Sequence, residues 1–355
     1  MSRFLRKAYR SLEVYVPGEQ PRDKKYIKLN TNESPFPPSP EVLEAVANEA
    51  GDLQLYSDPE CTALRKTAAE LYGLKPENIF CGNGSDEVLN FAFGAFCDET
   101  KGMAFPSISY GFYPVYGDLY GLDCAAIPLK DDFSVDPADY FGLDKNIVIA
   151  NPNAPTGMLL TVPQIRSILD ANRDNLVIID EAYVDFGGKS CLPLIAEYDN
   201  LLVVQTFSKS RSLAGARLGF GFAQPEIIAD LNRVKYSTNP YNINRCTLAA
   251  GEAALRSQAY YDKNCLTIIE NRDYTTQALR EMGFEVLPSK ANFIFARHPQ
   301  ICGETLYRTL KDMGILVRHF SREEIAAFVR ITIGSAEQMR ALVNAIQTIL
   351  AGGGN

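Results

Sequence analysis

The sequence predicts an α/β fold, with a large domain whose mostly parallel sheet lies between helices and a smaller α+β domain after it. Three apolar runs, at residues 147–150, 176–179 and 201–204, have the length and composition of buried strands. Each run ends at a group of polar residues, and helical patterns alternate with the strands. This alternation is typical of a parallel sheet with helices on both faces.

The elements of the large domain, assigned to residues 46–235, follow one another in that rhythm. A helix is predicted at residues 60–72, and a strand at 79–81 then leads into a glycine-rich turn and a further helix. After the strand at 147–150, a helix is predicted at 163–172, because proline suits the first helical position. The two remaining apolar runs complete the set of central strands.

The segments on either side of the large domain have different patterns. Residues 1–45 are rich in proline and are predicted to form an irregular arm that packs on the small domain or on a partner subunit. A long helical stretch, from about residue 246 to 283, opens the small C-terminal domain assigned to residues 236–355. Short strands are predicted there at 292–296, 316–318 and 329–333, with helices at 304–313 and 337–350.

The composition argues against several classes of function. The net charge is −8, whereas a nucleic-acid-binding surface needs clustered positive charge. Eight cysteines form no C-x-x-C pair and there are only two histidines, so neither a disulfide framework nor a metal site is expected. No apolar signal segment or long apolar run is present. We therefore expect a cytoplasmic protein without membrane or nucleic-acid partners.

Groups that suit a phosphorylated aldehyde follow the strand at 201–204. Lys209 is flanked by two hydroxyls and an arginine, at Thr206, Ser208 and Arg217. A neighbouring cation or burial lowers the pKa of a lysine so that it acts as a nucleophile. Hydroxyls and arginine bind phosphate esters. Pyridoxal 5'-phosphate (PLP) requires both an amine for its aldehyde and a group that binds its phosphate, so the segment suits this cofactor. For this segment taken alone, a solvated surface lysine is an equal alternative.

Two further strand ends supply complementary groups. Asp180 and Tyr183 follow the strand at 176–179, at the edge where open α/β sheets bind ligands. A carboxylate there suits the pyridine nitrogen of PLP, and Tyr183 suits its phenolic oxygen. The turn that contains Ser85 and Asp86 precedes a helix, whose free N–H groups bind anions. That turn lacks the third glycine of the dinucleotide fingerprint, which argues against a nicotinamide dehydrogenase.

Taken together, these motifs resemble the fold-type I PLP-dependent aminotransferases, and among them the histidinol-phosphate aminotransferase group. The resemblance rests on Asn-Pro-Asn-x-Pro-Thr-Gly at 151–157, Asp-Glu-Ala-Tyr at 180–183 and Ser-Lys-x-x-x-Leu-Ala-Gly-x-Arg-x-Gly at 208–219. It extends almost end to end, from residue 15 to residue 334. It implies a transaminase of histidine biosynthesis that passes the amino group of L-histidinol phosphate to 2-oxoglutarate.

The resemblance also assigns roles around the cofactor. Lys209 forms the imine and moves the substrate proton, while Asp180 and Tyr183 hold the pyridine nitrogen and the phenolic oxygen. The positions expected to bind the phosphate are Ser85, Asp86, Thr206, Ser208 and Arg217. Tyr110 is expected to stack on the ring. Tyr56 resembles a tyrosine that reaches the phosphate from the partner subunit, which implies a homodimer with shared active sites.

The substrate side is expected to carry positive charge. Arg330 matches the family's arginine for the α-carboxylate, or for the phosphate of histidinol phosphate, and Arg318 adds a second charge. Two converging arginines suit both a phosphate-bearing donor and a dicarboxylate such as glutamate. Tyr15 and Asn32 match substrate-side positions of the N-terminal arm.

One position departs from the family pattern. Ala154 stands where the family has an asparagine that hydrogen-bonds the phenolic oxygen, and alanine has no donor. Either Asn153 takes over this contact or Tyr183 holds the oxygen alone, and we expect Asn153 to do so.

Three alternative functions use the same scaffold. An aromatic amino acid aminotransferase and a threonine-phosphate decarboxylase differ from the main hypothesis in the substrate or in the bond that is broken. A non-catalytic PLP-binding protein is the third, and an intact set of chemical groups argues against it: Lys209, Asp180, Arg217 and Arg330.

Overall fold

The computed structural model describes residues 2–352, and within that range it contains 13 strands and ten α-helices. The strands are β1 (Ile27–Lys28), β2 (Ile79–Gly82), β3 (Met103–Pro106), β4 (Ala125–Ile127), β5 (Asn146–Ala150), β6 (Val177–Asp180), β7 (Leu201–Thr206), β8 (Gly219–Phe222), β9 (Glu285–Val286), β10 (Phe293–Arg297), β11 (Ile315–Leu316), β12 (Arg318–His319) and β13 (Val329–Thr332). The helices are α1 (Pro40–Glu49), α2 (Thr62–Tyr72), α3 (Ser85–Phe96), α4 (Phe112–Tyr120), α5 (Val162–Ala171), α6 (Pro225–Thr238), α7 (Arg245–Arg256), α8 (Gln258–Glu281), α9 (Gly303–Asp312) and α10 (Ala336–Gly352).

The largest sheet of the described chain has seven strands in the order β2-β8-β7-β6-β5-β3-β4. The pairs among β4, β3, β5, β6 and β7 are parallel, and β8 is antiparallel to both of its neighbours. Ala150, Asp180 and Val204 are adjacent in register. A mostly parallel sheet between helices confirms the predicted fold class.

The central strands are buried on both faces. In β5, Ile147 and Ile149 point into one core and Val148 into the other, and β6 and β7 alternate in the same way. This explains why these strands are continuous apolar runs rather than alternating ones. Burying each such side chain contributes about 1.5–3 kcal/mol to folding.

A second core lies under the smaller antiparallel sheet, whose order is β12-β13-β10-β9. Its apolar side chains come from β10, β13 and the helices α8, α9 and α10. In this sheet Arg318 is the direct cross-strand partner of Arg330. Strand β1 pairs in parallel with β11 in a separate two-stranded sheet and so ties the N-terminal segment to the strand that precedes β12.

Several predicted element boundaries are corrected by the structure. The arm predicted to be irregular contains β1 and the start of α1, which has Ser39 as its cap and Pro40 in its first turn. The long helical stretch is two helices, divided at Ser257. The strand predicted at 316–318 is divided between two sheets, because Leu316 pairs with β1 whereas Arg318 pairs with β13.

The sequence does not predict strand β8, because two glycines in Gly-Phe-Gly-Phe are not typical of a strand. A Cβ on Gly219 would lie 2.4 Å from the backbone nitrogen of Ser85, so the close approach of α3 requires glycine. The domain boundaries at residues 45 and 235 stay predictions. Helix α7 follows residue 235 in the chain, but its Ala250 and Ala254 lie in the same core as β5. Residues 353–355 of the third predicted domain lie outside the described range.

Within residues 2–352, none of the helices is both long enough and apolar enough to span a lipid bilayer.

Candidate active site

Two adjoining cavities open at the carboxyl ends of the parallel strands. The inner cavity has a volume of about 260 Å³ and brings together nine of the predicted site residues: Ser85, Asp86, Tyr110, Asp180, Tyr183, Thr206, Ser208, Lys209 and Arg217. The outer cavity, of about 520 Å³, brings together Tyr15, Asn32, Arg318 and Arg330. Tyr183 and Lys209 line both cavities, so the two spaces meet at the lysine.

Lys209 lies just beyond the end of β7 and points its amine into the site. Its Nζ donates a hydrogen bond of 3.3 Å to the carbonyl oxygen of Thr31, which comes from the N-terminal segment. Burial, followed by the positive charge of Arg330, lowers the pKa of Lys209 to about 8. A sizeable fraction of the amine is therefore neutral just above neutral pH, as a nucleophile or a base requires.

Asp180 is the last residue of β6 and is only 5% exposed. Its Oδ2 accepts a hydrogen bond of 2.9 Å from the hydroxyl of Tyr113, and its Oδ1 accepts one of 3.2 Å from the backbone N–H of Ala182. Burial raises the pKa of Asp180 to about 6 although both hydrogen bonds lower it. The result is a carboxylate held at a cavity wall and suited to a cationic partner.

A second group of residues in the inner cavity is suited to bind an anion. Helix α3 begins at Ser85 and presents its free N–H groups there. Gly84 has φ of +81°, and a Cβ on it would lie 2.5 Å from Nη2 of Arg217, so the guanidinium occupies the space that a side chain would fill. Arg217 is held by Asp86 at 2.9 Å. Thr206 donates to Ser208 at 3.0 Å, so both hydroxyls face the same space.

Tyr110 is fixed beside this anion site. Its hydroxyl donates a hydrogen bond of 2.7 Å to Oδ1 of Asp86, and its ring packs edge-on against Tyr113. The ring therefore forms a wall of both cavities.

Two residues that the sequence did not single out hold the turn before α3. Oε2 of Glu87 accepts a hydrogen bond of 2.7 Å from the backbone N–H of Asn83 and one of 2.5 Å from Nδ2 of Asn242. Nδ2 of Asn242 also donates to the carbonyl of Cys81 at 3.3 Å. These contacts tie the turn to the segment before α7, which is distant in sequence and so left no local signal.

Asn32 lines the outer cavity, but its side chain is engaged within the protein. Its Nδ2 donates to the hydroxyl of Tyr183 at 3.0 Å, and its Oδ1 accepts from the hydroxyl of Thr332 at 3.0 Å. The geometry therefore makes Asn32 a support for Tyr183.

Arg330 enters the outer cavity with unused hydrogen-bonding capacity. Its Nη2 donates to the carbonyl of Asn30 at 3.0 Å, while its Nε has no hydrogen-bond partner in the described part of the chain. Arg318 donates to the carbonyls of Val16 and Pro17 at 3.2 and 3.3 Å. The two guanidinium groups are bound by neutral carbonyls, which leaves their charges available to an anion.

Asn153, expected to contact the phenolic oxygen, lines neither of the two cavities. Its Oδ1 accepts from the hydroxyl of Ser109 at 2.7 Å, and its Nδ2 donates to the carbonyl of Ile108 and to the hydroxyl of Thr156. Both polar atoms of the side chain are therefore used within the protein, to join its own loop to the loop that follows β3. Ala154, not Asn153, lines the inner cavity.

Tyr56 is not brought to either cavity of its own chain. It is 78% exposed, and its ring stacks on Tyr241 with centroids 4.5 Å apart. The backbone carbonyl of Tyr56 accepts a hydrogen bond of 3.3 Å from Arg245. The side chain of Tyr56 is therefore at the surface, and its contacts with Tyr241 and Arg245 hold it in place.

Comparisons with known proteins identify the family of the chain. A family model described as aminotransferase class I and II matches residues 24–346. The chain is 51% identical over 352 residues to the histidinol-phosphate aminotransferase of Brachyspira hyodysenteriae, covering 99% of each chain. It is similar to the crystal structure of the histidinol-phosphate aminotransferase from Clostridium acetobutylicum, with a TM-score of 0.83, 25% identity and coverage of 91% and 98% of the two chains.

A further solved structure is similar in fold. The histidinol-phosphate aminotransferase from Sinorhizobium meliloti, in complex with pyridoxal-5'-phosphate, has a TM-score of 0.84 at 23% identity, with coverage of 98% and 99%.

Proposed function

The chain belongs to the class I and II aminotransferase family, and from this membership we propose that it transfers the amino group of L-histidinol phosphate to 2-oxoglutarate in histidine biosynthesis. It is a PLP-dependent transaminase. The observation that carries the choice of donor is the 51% identity over the whole chain to a histidinol-phosphate aminotransferase. The paired arginines of the outer cavity support it, because they suit an anionic donor. The aromatic, decarboxylase and non-catalytic alternatives are not favoured.

The residues of the inner cavity fit PLP. Asp180 is a buried carboxylate suited to the pyridine nitrogen, and the cradle at Gly84 and Arg217 suits the phosphate. Thr206, Ser208 and the N-terminus of α3 would complete the phosphate site. When bound, PLP withdraws electrons from the amino donor and so acidifies its Cα–H bond.

Lys209 supplies the proton transfer. Its Nζ has a pKa of about 8. The neutral amine accepts the proton from Cα of the donor, and the resulting ammonium group then gives a proton back. The Thr31 carbonyl orients the amine by accepting its hydrogen bond. Tyr183, held by Asn32, forms the wall beside this amine, with its ring centroid 5.9 Å from Nζ.

Arg330 and Arg318 orient the substrates. A phosphate monoester carries about −1.5 to −2 charges at pH 7, so two arginines match one phosphate group. The same pair suits a carboxylate of glutamate or 2-oxoglutarate, and a transaminase must accept both substrates in one site. Tyr15 lines the outer cavity together with them.

The proposal includes a homodimer with shared sites in the cytoplasm. Tyr56 is exposed, stacks on Tyr241 and lines neither of its own chain's two cavities, which supports a role in the site of a second copy.

A donor screen tests the proposed function. The purified holoenzyme is mixed with histidinol phosphate, histidinol, phenylalanine, tyrosine or threonine phosphate, and the absorbance of the cofactor is followed over a single turnover. Histidinol phosphate should react with the highest second-order rate constant. A rate constant for phenylalanine or tyrosine that equals or exceeds it would replace the proposal by an aromatic aminotransferase. Release of CO₂ from threonine phosphate would replace it by a decarboxylase.

A further inference from the structure

The two arginines of the outer cavity are placed against each other by the sheet. Arg318 in β12 and Arg330 in β13 are direct cross-strand partners, so their side chains leave the same face of the sheet. Residues in this relation have Cβ atoms about 4.5–5.5 Å apart, and like charges directly opposite each other are destabilising. Neither guanidinium group forms a salt bridge with a carboxylate in the described chain, and the hydrogen-bond partners of both are main-chain carbonyls.

An aromatic ring lies against both cations. The guanidinium carbon of Arg318 is 5.5 Å from the ring centroid of Phe320, and that of Arg330 is 5.7 Å from the same centroid. Both distances lie within the range of a cation–π interaction, in which the negative face of the ring attracts the cation. Phe320 lines the outer cavity, and its ring also packs edge-on against Phe295 at 6.2 Å.

A second ring acts on Arg330 alone. Phe293 lies 5.4 Å from its guanidinium carbon and is fully buried in the core. Phe320 is therefore the residue that both arginines share, and it comes directly after β12, where its position is fixed by the strand and by Phe295.

We propose that Phe320 is a positioning residue for substrate specificity, which holds Arg318 and Arg330 as a convergent pair and thereby sets the preference for a phosphorylated amino donor. The inference rests on the proposed function for the identity of that donor. Without the ring, the repulsion between the two guanidinium groups turns them apart. One arginine still binds an anion, but the second contact to a doubly charged phosphate is lost.

The test uses a pair of donors that differ only in the phosphate. Specificity constants for histidinol phosphate and histidinol are measured with wild-type holoenzyme, Phe320→Leu and Phe320→Tyr. Leucine keeps an apolar side chain of similar reach but has no aromatic face, whereas tyrosine keeps the face. The ratio of the two specificity constants should fall about three- to thirty-fold in Phe320→Leu and stay near the wild-type ratio in Phe320→Tyr.

An independent measurement uses inorganic phosphate as an inhibitor of histidinol turnover. Its inhibition constant should rise in Phe320→Leu and not in Phe320→Tyr. An unchanged ratio in a Phe320→Leu enzyme with normal thermal stability, or an equal loss for both donors, overturns the proposal. If the wild-type enzyme does not prefer histidinol phosphate over histidinol, the proposed function fails, and the phosphate inhibition constants still decide the role of Phe320.

Discussion

The hydroxyl of Tyr113, in the first turn of α4, donates a hydrogen bond of 2.9 Å to Oδ2 of Asp180 at the end of β6. Both residues are buried, and the contact joins elements that are 67 residues apart in the sequence. Tyr113 therefore helps to keep Asp180 ionised inside the protein. Tyr113 holds a residue of the site in place although it does not itself line either cavity.

Replacing Tyr113 by phenylalanine should destabilise the cofactor-free protein in a pH-dependent way. Burial raises the folded-state pKa of Asp180 to about 6, so its contribution to stability is complete below its unfolded pKa of about 4 and is lost as pH rises through about 6. Removing the Tyr113 hydrogen bond raises this pKa further. The variant should lose about 1.5–3 kcal/mol at pH 8, where Asp180 is charged, and less at pH 5.

Denaturant unfolding at the two pH values measures this effect, and Tyr116→Phe is the matched control. Tyr116 lies in the same helix and donates 2.8 Å to the main-chain carbonyl of Asp86, a neutral acceptor. Its loss should cost about 0.5–1.5 kcal/mol at both pH values. An equal pH dependence in the two variants would contradict the link between Tyr113 and the charge of Asp180.

Replacing Lys209 by alanine should abolish turnover but not cofactor binding. The phosphate cradle at Gly84, Ser85 and Arg217 is independent of the amine, whereas proton transfer depends on it. Activity should fall by at least about 10²–10⁴-fold. Borohydride reduction and peptide mapping of the wild type should place the cofactor on Lys209. The control variant Lys189→Ala, which lacks an exposed lysine, should be labelled at Lys209 as well. A label on any other lysine refutes the assignment.

Mixing two inactive variants tests whether Tyr56 serves the partner's site. In a mixed dimer of Lys209→Ala and Tyr56→Ala subunits, one site would contain both defects and the other neither. Equal amounts should then recover roughly one quarter of wild-type activity after subunit exchange. Lys209→Ala mixed with Asp180→Asn is the control, because both residues line one inner cavity and no intact site can form. Verified exchange without recovery would exclude the shared site.

Arg330→Ala should weaken catalysis with every anionic substrate. Removing one partner of a buried charge contact typically costs about 2–5 kcal/mol, or tens-fold to thousands-fold in specificity constant. Arg318→Ala should reduce turnover of histidinol phosphate more than that of phenylalanine, whose side chain has no anion. Arg297→Ala is the control, since Arg297 pairs with Glu285 at 2.6 Å outside both cavities. Equal losses for phenylalanine and histidinol phosphate in Arg318→Ala would refute the phosphate contact.

Asn242→Ala should weaken cofactor binding with little change in turnover at saturating PLP. The substitution removes a donor to Glu87, which holds the turn before α3. Losing a hydrogen bond to a charged group predicts about a ten-fold higher dissociation constant for PLP, measured by titration of the cofactor-free protein. Asn244→Ala, which removes the cap of α7, should lower stability and leave this constant unchanged. A similar rise of the PLP dissociation constant in both variants would show that Asn242 has no specific effect on the cofactor site.

The sequence predicted the sheet and the chemistry at its edge, because both are local. A central parallel strand is a continuous apolar run, and the polar residues that follow it must meet at one edge of the sheet. Lys209, Asp180 and Arg217 were located in this way, and the predicted fold class and cofactor are confirmed. Strand β8 could not be predicted from local sequence, because Gly219 is required by the close contact with Ser85 of α3, which is 134 residues away in the chain.

What the sequence alone determined is therefore which chemical groups this protein brings to its site; which atoms they contact was decided by the tertiary structure. The side chain of Asn153 bonds to Ile108 and Ser109 in the loop after β3, and Ala154 lines the inner cavity instead. Phe320 meets both arginines only because the register of β12 and β13 places Arg318 opposite Arg330. Hydrogen bonds and cation–π contacts act over a few ångströms, and only packing and strand register bring residues distant in sequence within that range.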